Sequence, residues 1–134
     1  RDLRMSRGLG DVYKRQVYIF PNRHVPYMTD LNEEERFALG VTIRDTVAMF
    51  DNLFDYQFPY MMCMHNAPVN TGDYSKDYHF HIEFFPPMRS ADKQKFNASS
   101  ETGAWAHCNP RAPEESSEEM RQAYQKMLRK RAEK

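Results

Sequence analysis

Two imidazoles and a carboxylate stand in a row at His79, His81 and Glu83, inside the segment Tyr78-His79-Phe80-His81-Ile82-Glu83-Phe84-Phe85-Pro86-Pro87. Polar and apolar residues alternate there with a period of two, the pattern of a β-strand with one buried face. Phe80, Ile82 and Phe84 share the apolar face, and the three titratable groups share the other. Neutral imidazole and carboxylate together suit zinc or iron. Same-face positions on a strand lie ~6.6–6.8 Å apart, so His79 and Glu83 would stand roughly 13 Å apart at Cα, near the limit for sharing an ion bound at ~2 Å. His81 is therefore the pivot, partnered by either His79 or Glu83.

A fourth candidate is His65, at the end of Phe58-Pro59-Tyr60-Met61-Met62-Cys63-Met64-His65, which reads as a strand. Asn66 to Asp73 is rich in turn formers. The gap to His79 is long enough to return the chain as an antiparallel neighbour, bringing His65, His79, His81 and Glu83 onto one patch. His24 and His107 have no partner motif and are expected to be ordinary hydrogen-bonded side chains.

The elements that must position these residues follow in chain order. Val17-Tyr18-Ile19-Phe20 is a short strand ended by Pro21-Asn22. Asn32 with Glu35 fits a capping box, and Glu33 and Glu34 favour the positive end of the helix dipole. Leu39, Ile43, Val47, Phe50 and Phe54 then recur at helical spacing, giving an amphipathic helix of about 20 residues. Pro86-Pro87 must stop the His/Glu strand, since proline cannot donate to a ladder. After a basic loop, Gly103-Ala104-Trp105-Ala106-His107-Cys108 is expected to be another strand. Pro113 opens a last helix, whose basic end at Lys126, Arg129, Lys130, Arg131 and Lys134 reads as a solvated face. Strands flanked by helices predict an α+β fold: an antiparallel sheet with helices packed on one face.

The chain has 134 residues, with 40% hydrophobic and 13% aromatic, enough for one domain with a core. Its formal net charge of +0 argues against nucleic acid as an obligate partner. No apolar run approaches the ~18 residues of a membrane span, and the charged start matches no signal peptide. Cys63 and Cys108 form no CxxC pair and are expected to be free, buried thiols of a reducing cytoplasm. Residues 1–16 show no apolar periodicity. Asp11-Val12-Tyr13-Lys14-Arg15-Gln16 is similar to a translated transposase-end adaptor, so native sequence is expected to start near Val17. Residues 1–16 carry five Lys/Arg and two Asp, a net of +3. Without them, 14 Lys/Arg against 17 Asp/Glu leave −3.

Several phrases in order carry a resemblance: FPNRHVPYMTDL from Phe20, Phe50 to Phe54, Phe58 to Met61, His65-Asn66-Ala67-Pro68, EFFPPMRS from Glu83, and Lys95-Phe96 followed by Glu101. Together they resemble the C-terminal half of galactose-1-phosphate uridylyltransferase, within the histidine-triad-like superfamily, over Val17 to Arg131. The resemblance implies a cytoplasmic homodimer whose subunits have two histidine-triad-like halves. The first half's HPHxQ histidine takes the uridylyl group from UDP-glucose and passes it to galactose 1-phosphate, two transfers through a covalent intermediate.

The second half, which this chain resembles, is implied to hold zinc or iron and to contact the hexose phosphate. His65 matches one family metal ligand. Counting back from Pro86-Pro87 places His81 and Glu83 on two others, whereas a plain HxH match would choose His79 and His81. Glu83 is then a departure, carboxylate for imidazole. A further family ligand, a glutamate, belongs to the first half. Lys95 and Glu101 match positions that contact the hexose and its phosphate, while Asn97 to Pro110 otherwise departs from the family. With no HPHxQ present, the chain by itself is expected to be inactive. The competing expectations are a stand-alone histidine-triad nucleotide hydrolase or transferase using His81, and a non-catalytic, metal-stabilised dimerisation module.

Overall fold

The computed structural model describes residues 15–95, 99–104, 106 and 111–133. A three-stranded antiparallel sheet has the order β1–β3–β2, from β1 (Val17–Ile19), β2 (Met61–His65) and β3 (His81–Phe85). Two long helices, α1 (Glu33–Asp51) and α3 (Pro113–Ala132), pack against each other. Residues from both join the sheet's inner face in one core, so the α+β expectation holds.

β3 is central because its inner side chains need cover from both neighbours. Phe80, Ile82 and Phe84 are each 0% exposed, while His81, Glu83 and Phe85 are half-buried on the opposite face. The alternation read from the sequence is thus realised residue by residue. Phe84 meets Phe50 of α1 and Tyr60 at ring-centroid distances of 5.9 and 5.5 Å. Val25, Leu31 and Phe58 complete the core from the loops.

α1 starts where its chemistry dictates. The Asn32 side chain accepts from the Glu35 N–H at 2.8 Å, and the Glu35 carboxylate accepts from the Asn32 N–H at 2.9 Å. Two amides otherwise orphaned at a helix start are thereby satisfied, a contribution of ~1 kcal/mol. Glu35 also receives two hydrogen bonds from Arg23 at 2.8 and 2.9 Å, which fix the loop after β1. α3 buries Ser116, Met120, Ala123 and Met127 at helical spacing, with Pro113 in its first turn. Arg129, Lys130 and Arg131 near its end are exposed. Lys126 and Lys130 pair with Asp55, and Arg131 pairs with Asp45 of α1 at 2.7 Å.

Three local expectations are corrected. The stretch after Pro86-Pro87 is a small hairpin, β4 (Met88–Ser90) with β5 (Lys93–Gln94), where a loop was expected. Gly103 and Ala104 end a short helix, α2 (Ser99–Ala104), where a strand was expected to begin. A six-residue stretch carries too little periodicity to separate the two. Trp105, His107 and Cys108 lie outside the described residues. Cys63 is a free thiol, as expected, but exposed, because β2 is an edge strand with an open outer face.

Arg15, just before the expected start of native sequence, is in contact with the fold. Arg15 has only 7% of its side chain exposed. It donates to Glu119 of α3 at 2.9 Å and to the Arg89 carbonyl at 3.0 Å, with its guanidinium 5.3 Å from the Phe54 ring centroid. Burial alone would raise the Glu119 pKa. Hydrogen bonds from Arg15 and then Arg111 outweigh it and hold the carboxyl below its ordinary 4.5. A depressed folded pKa adds stability that is present above 4.5 and lost as the pH falls through the folded value. Glu119→Gln should therefore flatten the acid limb of a melting-temperature profile below about pH 5. An acid limb identical to wild type would show that the Arg15–Glu119 pair adds nothing to folding.

Candidate metal centre

The geometry of the site follows from one register. β2 runs antiparallel to β3 with His65 opposite His81 and Cys63 opposite Glu83. Directly opposed residues project from the same face, and this face lies away from the helices. The His65 and His81 rings stack with centroids 4.8 Å apart. His81 Nε2 lies 3.3 Å from Glu83 Oε1, and His65 Nε2 lies 3.9 Å from Glu83 Oε2. One donor atom from each of the three residues falls within 4.8 Å of the others.

The hydrogen bonds around this trio leave its electron pairs pointing inward. His81 Nδ1 lies 2.9 Å from the His79 carbonyl, which can only accept, so Nδ1 carries the proton. In the neutral ring, Nε2 then presents a lone pair to the Glu83 carboxylate, also an acceptor. His65 Nε2 is shielded from solvent and has no hydrogen-bond partner. Two acceptors in near contact and an orphaned ring nitrogen are what a cation would satisfy. Groups that would orient these ligands are also present. A backbone carbonyl fixes the His81 tautomer, and Gln16 Nε2 donates to Glu83 Oε2 at 3.3 Å. The donor set of two imidazoles and a carboxylate fits zinc or iron.

His79 stands apart from this group. Its Nε2 donates to the Pro21 carbonyl at 2.9 Å, so Nδ1 is the acceptor for the Val25 amide at 3.4 Å. Both ring nitrogens are used in holding the loop after β1. His24, bonded to the Ser75 carbonyl, stacks on the His79 ring. The reason lies in strand length. β1 pairs only with Ile82 to Phe84 and β2 only with His81 to Phe85, so the ladder begins after His79.

The remaining candidates sit elsewhere. Lys95 is half-buried beside the β4–β5 hairpin, its ammonium donating to the Pro86 carbonyl and its amide to the Pro87 carbonyl. Glu101 belongs to α2, and its side chain is outside the described residues. Sequence reasoning missed the aromatic surround of His81: Tyr18, Phe20 and Tyr78 have ring centroids 6.3, 5.7 and 5.9 Å away. The signal was available, because Tyr18 alternates with buried Val17 and Ile19 and so faces the same side.

This antiparallel α+β fold has counterparts among solved structures. A uridylyltransferase mutant matches 89% of this chain at 28% identity with a TM-score of 0.78, using 39% of that protein. An ADP-glucose phosphorylase from Arabidopsis thaliana shares the fold at 20% identity and a TM-score of 0.66. At the sequence level, residues 12–130 match the model of the galactose-1-phosphate uridyl transferase C-terminal domain. The Thermotoga maritima galactose-1-phosphate uridylyltransferase is 44% identical over 107 residues, covering 80% of this chain and 34% of the relative. The Rattus norvegicus enzyme is 34% identical over 113 residues, covering 82% and 30%. The chain belongs to the galactose-1-phosphate uridylyltransferase family, in its C-terminal domain. It spans about a third of the length of these curated relatives.

Proposed function

We propose that this chain is the metal-bearing, substrate-positioning part of a UDP-glucose–hexose-1-phosphate uridylyltransferase, an enzyme of galactose metabolism. The observation that carries the reading is the convergence of His65, His81 and Glu83 within a domain of that family. His65, His81 and Glu83 would hold zinc or iron. Bound there, the ion would cross-link β2 to β3 and supply structural stability. The nucleophilic histidine would come from the remainder of the parent, since this sequence contains no HPHxQ.

Lys95 would supply positive charge to a hexose phosphate, with the Pro86 carbonyl holding its side chain beside the hairpin. Glu101 would accept from sugar hydroxyls. The substrates would be UDP-glucose and galactose 1-phosphate, handled by a cytoplasmic homodimer. Exposed Met61, Met62 and Met64 on edge strand β2 support a larger assembly that covers them. Among the described residues no helix is long and apolar enough to cross a membrane.

The test is to incubate the purified chain with radiolabelled UDP-glucose, with and without galactose 1-phosphate. The expected result is no exchange and no labelled protein, alongside an HPHxQ segment in the genomic sequence upstream of Val17. Label retained on wild type and lost in His81→Ala would instead establish the stand-alone transferase. An upstream sequence without that motif would sink the assigned parentage.

A further inference from the structure

The geometry points to a second copy of this chain as the partner of α1's outer face, the two helices packing antiparallel about a two-fold axis. Glu33, Phe37, Gly40 and Arg44 recur at steps of four, three and four, so they form one stripe along about three turns of the helix. All four are exposed. Phe37 is 72% exposed, more than any other large hydrophobic side chain among the described residues. The stripe points away from the core, which takes Leu39, Ile43 and Phe50 from the same helix.

Gly40 is the telling member. Glycine is the poorest helix former after proline, yet no positive φ calls for it here, and nothing lies within 4 Å of where a Cβ would stand. Nothing inside the chain accounts for it. It floors an open groove of about 500 Å³, lined otherwise by Met28, Thr29, Arg36, Leu39 and Ile43. One turn away stands the uncovered ring of Phe37. An antiparallel partner whose two-fold axis crosses α1 between Ala38 and Leu39 sets Phe37 against Gly40 and Glu33 against Arg44, each pair occurring twice. The ring of each copy then enters the groove over the other's glycine, and at both ends a carboxylate meets a guanidinium. That is the reciprocity of an isologous contact. A parallel, in-register pairing would instead oppose Glu33 to Glu33 and Phe37 to Phe37. The four–three–four spacing also suits the shallow crossing, about 20°, that keeps two helices in contact over several turns. The charges are available for it. Glu33 has no hydrogen-bond or ion-pair partner among the described residues. Arg44 pairs with its neighbour Asp45 at 2.9 Å, but Arg131 also holds that carboxylate at 2.7 Å, and the Arg44 side chain is 62% exposed. The contact lies on the helix layer, away from His65, His81 and Glu83, and needs neither metal nor substrate. It therefore stands or falls apart from the functional reading.

The experiment is sedimentation velocity on the full chain from low micromolar to near-millimolar concentration, with chelator and reductant present so that neither metal nor disulfides contribute. The expected result is a reversible monomer–dimer equilibrium. Phe37→Glu should weaken it at least about tenfold, the least that an aromatic anchor at the centre of an interface is worth. Phe37 is exposed in the single copy, so this variant keeps its fold, which circular dichroism checks. Gly40→Leu is a better helix former with room for its side chain in the single copy. It should melt no lower than wild type and still lose association. Glu33→Arg and Arg44→Glu should each weaken the dimer, and the double reversal should restore it, which a role within one copy's fold would not produce. Wild type that stays monomeric throughout overturns the contact and leaves the groove to the rest of the parent. A dimer that survives Phe37→Glu and Gly40→Leu overturns it in favour of another surface, the exposed methionines of β2 first. A double reversal that fails to restore association overturns the antiparallel register, and the contact with it.

Discussion

His81→Ala should abolish metal binding and remove about 10 °C of melting temperature in the presence of zinc. The size follows from linkage. A metal that binds only the folded state at a hundred times its dissociation constant adds ~2.7 kcal/mol. In a domain between 100 and 150 residues each kcal/mol is worth roughly 4 °C. His81 is chosen because both its nitrogens are accounted for. Nδ1 is held by the His79 carbonyl, and Nε2 faces Glu83 at 3.3 Å beside the orphaned His65 nitrogen. The comparison that isolates the metal is wild type stripped by a chelator, which should melt with the untreated mutant. His79→Ala is the contrast: it should retain the metal and lose only the hydrogen bonds to Pro21 and Val25. If zinc leaves the wild-type melting temperature unmoved, the three donors do not form a site in this chain.

The difference between those two histidines marks how far the sequence could be read. Alternation assigns residues to faces, and it did so correctly from Phe80 to Phe84. It does not say where a ladder starts. That depends on the lengths of the partners, here three residues of β1 and five of β2. The same limit explains the β4–β5 hairpin, whose strands of three and two residues are too short to alternate. The start of α1 was legible atom by atom, because a capping box is a local reciprocal bond between Asn32 and Glu35. The Arg15–Glu119 pair spans 104 residues of sequence and nothing local announces it. What remained hidden is therefore long-range pairing, and what was visible is side-chain periodicity and local hydrogen bonding.

Phe84→Ala should cost ~3–5 kcal/mol, the penalty for removing a buried aromatic from a site that cannot collapse. Against the 5–15 kcal/mol by which native domains are stable, that is about a fifth or more of the total. Phe84 is the residue to cut because it is 0% exposed on the central strand, paired with Val17 on one side and Met62 on the other. Its ring also packs on Phe50 and Tyr60, so three elements lose contact at once. Its chain neighbour supplies the control. Phe85 is the same residue type, at the end of the same strand, but lies half-buried on the His/Glu face. Phe85→Ala should therefore cost clearly less, measured by urea denaturation of both variants. The two effects also separate fold from site. His81 and Glu83 sit on the same strand as Phe84, so Phe84→Ala should weaken metal retention through the loosened β2–β3 register, and saturating zinc should recover part of the lost stability. Equal losses for the two phenylalanines would mean that strand propensity, and not burial against α1, holds β3 in place.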